Sequence, residues 1–229
     1  MGMFIIKKIT LLVTFFICFC NTVVLGQKVE TVEQKAGKLV KVAKGLNPKV
    51  ARLALNAFVN SKNHGVSVKK PIITIIDYSQ ASTVKRLWVL DLENEKVLHN
   101  SMVAHGVNSG QNYTTSFSNN VGSLQTSLGT FITSSTYFGR DGYSLRMKGL
   151  EEGVNDRAEE RYIVIHGASY VSQKFIANAG RAGRSWGCPA VEKHLAKPII
   201  DTIKGGTLVF SYYPDKTWLA SSKFVNRVS

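Results

Sequence analysis

The chain has 229 residues, 44% hydrophobic and 19% charged, with 29 Lys and Arg against 15 Asp and Glu for a formal net charge of +14. That length suits one domain of ordinary size with a sizeable core, and no repeat or low-complexity tail points to an array. So basic a surface favours polyanions, but no nucleic-acid motif and no basic stripe interleaved with aromatics is present, so no nucleic-acid partner is expected.

The first residues read as a secretory signal. Lys7 and Lys8 supply a positive start, Ile9 to Cys20 is apolar but for Thr10 and Thr14, and Val24-Leu25-Gly26 precedes a cleavage site before Gln27. The apolar run from Ile9 to Leu25 falls short of the roughly 20 residues a spanning helix needs. No stable membrane insertion is therefore expected once residues 1–26 are removed, and the exported chain is placed in the periplasm or cell envelope. Ile6 excludes the Ser or Thr of a myristoylation signal, and the bulky residues before Cys20 are unlike a lipoprotein cleavage box. Removing 26 of the 229 residues leaves 203, and losing two lysines takes the net charge from +14 to +12.

Gln27 to Lys62 keeps helical spacing through Val29, Val32, Ala36, Leu39, Val40 and Ala43, with a break at Gly45 and Asn47-Pro48. Asn47 can cap and Pro48 suits a first turn, which predicts a second helix over Pro48 to Ser61. The period then changes. Strands are expected at Ile72–Ile76, Arg86–Asp91, Val97–Ala104, Leu128–Thr136, Arg161–Ile165 and Thr207–Tyr213. Short helices are expected at Val171–Ala179 and Val191–Ile203, the latter interrupted by Pro198. Gly106 to Ser127, rich in Ser, Asn, Thr, Gln and Gly, reads as an exposed loop and is expected to form part of a lid. The domain organisation is a signal over 1–26, a helical segment over 27–62 and a β-rich domain over 63–229.

Two of the three cysteines leave with the signal, so the exported chain keeps Cys188 alone and cannot form an internal disulfide. A lone exported thiol is a buried bystander, an intermolecular bridge or a reactive group. Gly187 removes bulk beside the sulfur, and His166 ends an apolar strand where Gly167 lets the backbone turn. An imidazole near a thiol can take its proton, and backbone N–H groups can hold a developing oxyanion. On these residues alone, a buried inert cysteine remains the competing reading.

Ser185-Trp186-Gly187-Cys188, preceded by His166-Gly167, resembles the signature of the murein L,D-transpeptidase (YkuD-like) catalytic domain family. Cys188-Pro189-Ala190 resembles the branch of that family with proline after the catalytic cysteine. The likeness extends over Ile75–Ser79, Arg86–Asp91, Val103–Gly106, Ser127–Phe131 and Ser144–Glu151, and covers roughly residues 48 to 213. It implies a mainly β, α+β fold: an L,D-transpeptidase-like β-sandwich with short helices and a helical N-terminal cover. It also implies an enzyme that cuts a peptidoglycan stem tetrapeptide between diaminopimelate and the terminal D-alanine. The acyl group then passes to an amine or to water. By the same resemblance Cys188 is the nucleophile, His166 the base and the Gly167 carbonyl its orienter. Gly187 and Cys188 supply the oxyanion hole, and Ser185 and Trp186 line the site. Two features depart from the common motif: Trp186 stands where a second histidine is frequent, and Pro189-Ala190 where arginine or asparagine is. They leave transferase against hydrolase (an L,D-carboxypeptidase) open, with a non-catalytic wall-binding module as the further alternative.

Guanidinium groups bind carboxylates well, which makes Arg184 and Arg146 candidate clamps for the stem peptide. Arg140 and Arg181 also fall in polar loops. His105 resembles His166 in setting but reads as structural. The five histidines lack metal-ligand spacing, so no metal and no cofactor is expected.

Overall fold

The computed structural model describes Met1 and residues 30–226; the signal expected over 1–26, with Cys18 and Cys20, lies outside the described residues. Helix α1 (Val32–Val42) starts at a reciprocal cap, in which Thr31 Oγ1 accepts from Gln34 N–H at 3.2 Å and Gln34 Oε1 from Thr31 N–H at 3.0 Å. Helix α2 (Pro48–Asn63) starts where Asn47 Oδ1 accepts from Lys49 N–H at 2.8 Å and Pro48 fills the first position, which needs no donor. Their apolar faces, including Leu39, Val50, Ala54 and Leu55, share one core with Ile73, Trp88, Leu208 and Phe210 of the sheet.

Nine strands follow: β1 (Ile72–Asp77), β2 (Leu87–Asp91), β3 (Lys96–Ser101), β4 (Val103–Ala104), β5 (Gly129–Gly139), β6 (Gly142–Gly149), β7 (Val164–Ala168), β8 (Ala190–Glu192) and β9 (Leu208–Tyr212). Helices α3 (Gln173–Ala179) and α4 (Lys193–Ile203) flank β8, and α5 (Lys216–Ser221) follows β9. The sheet order is β3-β2-β1-β9-β5-β6-β7-β8-β4. Its two outermost strands, β3 and β4, are separated in sequence by Met102 alone. Two trans peptide links span at most about 7 Å, so the sheet must curl until its edges meet. The expected β-rich class is thus realised as a nearly closed, barrel-like sheet.

Alternation divides β1, β2 and β9 between two cores. Ile73 and Ile75 of β1, Trp88 and Leu90 of β2, and Leu208 and Phe210 of β9 face the helical cover. Ile76, Leu87, Val89 and Val209 face the other way, onto Ala196, Ile199, Ile200 and Ile203 of α4. Both faces of β1 and β9 are covered, which explains their continuous apolar runs.

The structure corrects several expectations. Pro198 lies inside α4 without interrupting it. The bond it forgoes is to the carbonyl of His194, and both residues are exposed, so water can serve that oxygen. The strand expected from Arg161 begins only at Val164, because Tyr162 takes a left-handed backbone (φ 55°). β6, β8 and α5 are additional. The segment 106–127 is not simply exposed: Ser109, Thr114, Thr126 and Ser127 are buried within it.

Candidate active site

Strands β7 and β8 run parallel, with His166 opposite Ala190. His166, expected at a strand end, is instead the middle residue of β7, and Cys188 lies two residues before Ala190 in the loop that enters β8; both line an open cleft of about 810 Å³. Gly167 lets this happen. A Cβ there would lie 2.8 Å from Ala196 Cβ and 3.2 Å from Lys193 Cα, so only glycine lets α4 close on β7 beside the histidine. His166 Nδ1 is 3.3 Å from the Gly167 carbonyl oxygen. Donation along that contact places the proton on Nδ1 and leaves Nε2 as the basic nitrogen.

The half-buried sulfur is held by backbone. Val164 N–H donates to Cys188 Sγ at 3.5 Å, and the thiol donates to the Tyr162 carbonyl at 3.4 Å. The left-handed conformation of Tyr162 aims that carbonyl, while its own ring is 82% exposed at the cleft edge. A second non-glycine residue with positive φ, Leu124 (56°), lines the opposite wall; strained backbone of this kind concentrates at functional sites. Burial pushes the Cys188 thiol up to about 11, partly offset by the Val164 N–H. Burial also lowers His166, against the raising effects of Asp141 and the Gly167 carbonyl. Both shifts favour a resting pair of neutral thiol and neutral imidazole.

Ser185 closes the loop that carries Cys188. Its hydroxyl donates to the Cys188 carbonyl at 2.6 Å and accepts from Gly187 N–H at 3.1 Å. The Gly187 N–H is thus engaged in the resting structure, which revises the expectation of two open oxyanion donors; Cys188 N–H donates to no protein acceptor among the described residues. Gly187 itself has φ 123°, and a Cβ would meet the Gln125 carbonyl at 2.8 Å. Trp186 is 65% exposed in the cleft.

A buried network that the sequence reading missed lies beneath this loop. Arg86 donates to the carbonyls of Gln80 (2.7 Å) and Val103 (2.9 Å), contacts His105 Nδ1 at 2.9 Å, and lies over the Tyr78 ring. The His105 carbonyl accepts from Ser185 N–H at 2.9 Å, and the Ser185 carbonyl from Val107 N–H at 2.8 Å. His105 is therefore structural; burial, reinforced by the Arg86 charge, lowers it to about 4.

The wall formed by residues 106–127 is stapled by Arg161, which donates to Ser118 O, Ser123 Oγ, Ser127 Oγ and Gln125 O. Asn155 is buried, and its side chain donates to the Leu128 and Thr130 carbonyls and accepts from Glu151 N–H. The two candidate clamps are corrected. Arg184 lines the cleft but donates to the Val107 and Gly110 carbonyls at 3.1 and 3.2 Å. Arg146 lies over the Tyr137 ring at 4.2 Å and donates to Ser135 Oγ at 3.4 Å, outside the cleft lining. No group of His, Cys, Asp and Glu suited to a metal occurs among the described residues. No helix among them is long and apolar enough to cross a membrane.

The one thiol among the described residues and an imidazole on the adjoining strand, in a curled mixed sheet, define the class: a β-rich domain with a cysteine–histidine cleft. The profile of the L,D-transpeptidase catalytic domain matches residues 42–212, most of the chain. The chain belongs to that family. No curated protein matches it. Among solved structures it is similar to an L,D-transpeptidase from Mycobacterium smegmatis (13% identity, TM-score 0.38, covering 62% of this chain and 59% of that one). It is similar also to L,D-transpeptidase 1 of Mycobacterium tuberculosis (15%, 0.35, 62% and 62%). A third is an L,D-transpeptidase from Stackebrandtia nassauensis (14%, 0.37, 81% and 92%). The chain thus spans about three fifths of the length of the mycobacterial proteins.

Proposed function

We propose that the chain is a peptidoglycan L,D-transpeptidase with Cys188 as nucleophile and His166 as general base. The observation that carries this reading is the opening of both side chains onto one cleft, from β7 and from the loop entering its parallel neighbour β8, in a member of this family. As Sγ attacks the carbonyl of the residue preceding the terminal D-alanine, His166 Nε2 takes the thiol proton. Cys188 N–H stabilises the oxyanion, joined by Gly187 N–H if it turns from Ser185 Oγ. The C–N bond then breaks, the imidazolium protonates the departing D-alanine amine, and a thioester remains on Cys188. An acceptor amine attacks the thioester, His166 takes its proton, and the thiol is restored. Trp186 lines the same cleft. In this reading residues 1–26 are a secretory signal, 27–62 a helical cover and 63–229 the catalytic domain of a cell-envelope protein.

The test is mass spectrometry of residues 27–229 with a disaccharide tetrapeptide and, separately, a carbapenem, beside Cys188→Ala. A covalent adduct on Cys188 and released D-alanine, both lost in the variant, are expected, with cross-linked dimer as product. Tripeptide without dimer would instead identify an L,D-carboxypeptidase. A folded protein that forms neither adduct nor product would leave a wall-binding module as the better reading.

A further inference from the structure

Three arginines line the cleft: Arg140, Arg161 and Arg184. Arg161 is committed to the 118–127 wall through both Nη atoms, and Arg184 is tethered through Nη1 to two carbonyls. Arg140 is different. It sits in the turn joining β5 to β6 and donates no hydrogen bond to protein among the described residues. Its anionic neighbour is Asp141, 3.7 Å from Nε, and its side chain is 72% exposed. Its guanidinium carbon lies 4.8 Å from the centroid of the Trp186 ring, two residues before the nucleophile. A guanidinium resting on an aromatic face keeps its in-plane N–H donors free for a planar anion. The stack therefore presents a prepositioned, unsatisfied donor fork at the mouth of the cleft.

We infer that Arg140, held on Trp186, binds a carboxylate of the donor peptide. The inference rests on the transpeptidase reading and adds the recognition element. Its position agrees with its electrostatic reach, since the Arg140 charge lowers the pKa of both Cys188 and His166. A stem tetrapeptide offers two carboxylates near the scissile bond. One ends the departing D-alanine; the other is on the side chain of the diamino acid whose carbonyl is attacked. A bidentate guanidinium–carboxylate pair suits either one.

Calorimetric titration of full-length Cys188→Ala with tetrapeptides tests the idea without requiring turnover. Three peptides are compared: the free acid, the C-terminal amide, and a peptide with lysine in place of the diamino acid. Adding Arg140→Gln is expected to weaken the free acid roughly tenfold, the loss typical of a charged hydrogen-bonded pair. One of the two altered peptides should bind the parent protein about that much more weakly and be indifferent to Arg140→Gln. Whichever it is names the carboxylate. Trp186→Leu should fall between parent and Arg140→Gln, because the fork remains but is no longer fixed. Binding of the free acid unchanged by Arg140→Gln, or weakened equally for all three peptides, overturns the inference and leaves the proposed activity standing. No binding of any peptide to the folded protein removes both.

Discussion

Cys188 and His166 shift in directions that jointly oppose a resting ion pair, and this sets the reactivity of the thiol. Its ordinary value of 9.0 is raised to about 11, with burial the largest cause. At pH 7 such a thiol is ionised in about one molecule in ten thousand, roughly a hundredfold less than an ordinary cysteine, a cost of about 3 kcal/mol. The assay is the rate of iodoacetamide modification of Cys188 from pH 6 to 11, followed by intact mass. The rate constant should climb about tenfold per pH unit up to about pH 10 with no plateau near neutrality. Asp141→Asn should move the profile to lower pH, since the Asp141 carboxylate raises the thiol. His166→Ala should leave the alkylation profile in place while abolishing turnover, because in the proposed mechanism the imidazole acts when substrate is attacked rather than beforehand. A plateau with a midpoint below pH 8 that disappears in His166→Ala would refute this reasoning and establish a preformed thiolate–imidazolium pair.

Gly167→Ala should destabilise the fold by about 1–3 kcal/mol in urea unfolding and lower kcat, because its Cβ would sit 2.8 Å from Ala196 Cβ beside the imidazole. Ser185→Ala removes the donor to the Cys188 carbonyl and the acceptor of Gly187 N–H; unfolding should show a loss of about 1–3 kcal/mol, and single-turnover acylation should slow. His105, ordinarily near 6.5, is lowered to about 4 in the folded chain, so between those values the unfolded chain binds the extra proton. Stability should therefore fall as pH drops from 6.5 towards 4, by at most about 3 kcal/mol for this residue, and the slope should flatten in His105→Gln.

Much of this architecture was legible because burial leaves a periodic trace. The β-branched run at Ile72–Ile76 and the Asn47-Pro48 cap announced β1 and α2; the glycine-flanked Cys188 and His166 stood out as a candidate pair, but β7 runs on through Gly167 to Ala168, past the strand end expected at His166. β6 was hidden by Arg146 and Lys148, which alternate outward and dilute its apolar signal. β8 is only three residues long and has no period to read. Pro198 misled because its effect depends on whether the carbonyl it leaves free faces water. Polar composition suggested an exposed lid over 106–127, whereas the serines and threonines there satisfy one another and the Arg161 fork. The arginines show the same limit. Arg184, Arg146 and Arg140 look alike in sequence, and their difference lies in carbonyls and rings brought near by the fold.

The single-residue passage through Met102 governs the order in which this molecule can be assembled. β3 and β4 are neighbours in sequence, yet β4 finds its partner only in β8, and β1 pairs with β9 near the end of the chain. Contacts of such long sequence separation form late and slowly. The cleft is lined by β7, the loop entering β8, the β5–β6 turn and the loop that β4 leads into. The two halves of the sheet join only when β9 inserts between β1 and β5. A chain still emerging from its site of synthesis or transport thus carries its thiol on an unfinished surface. Burial of Cys188, and the suppression of its ionisation that comes with burial, therefore waits on closure of the whole sheet.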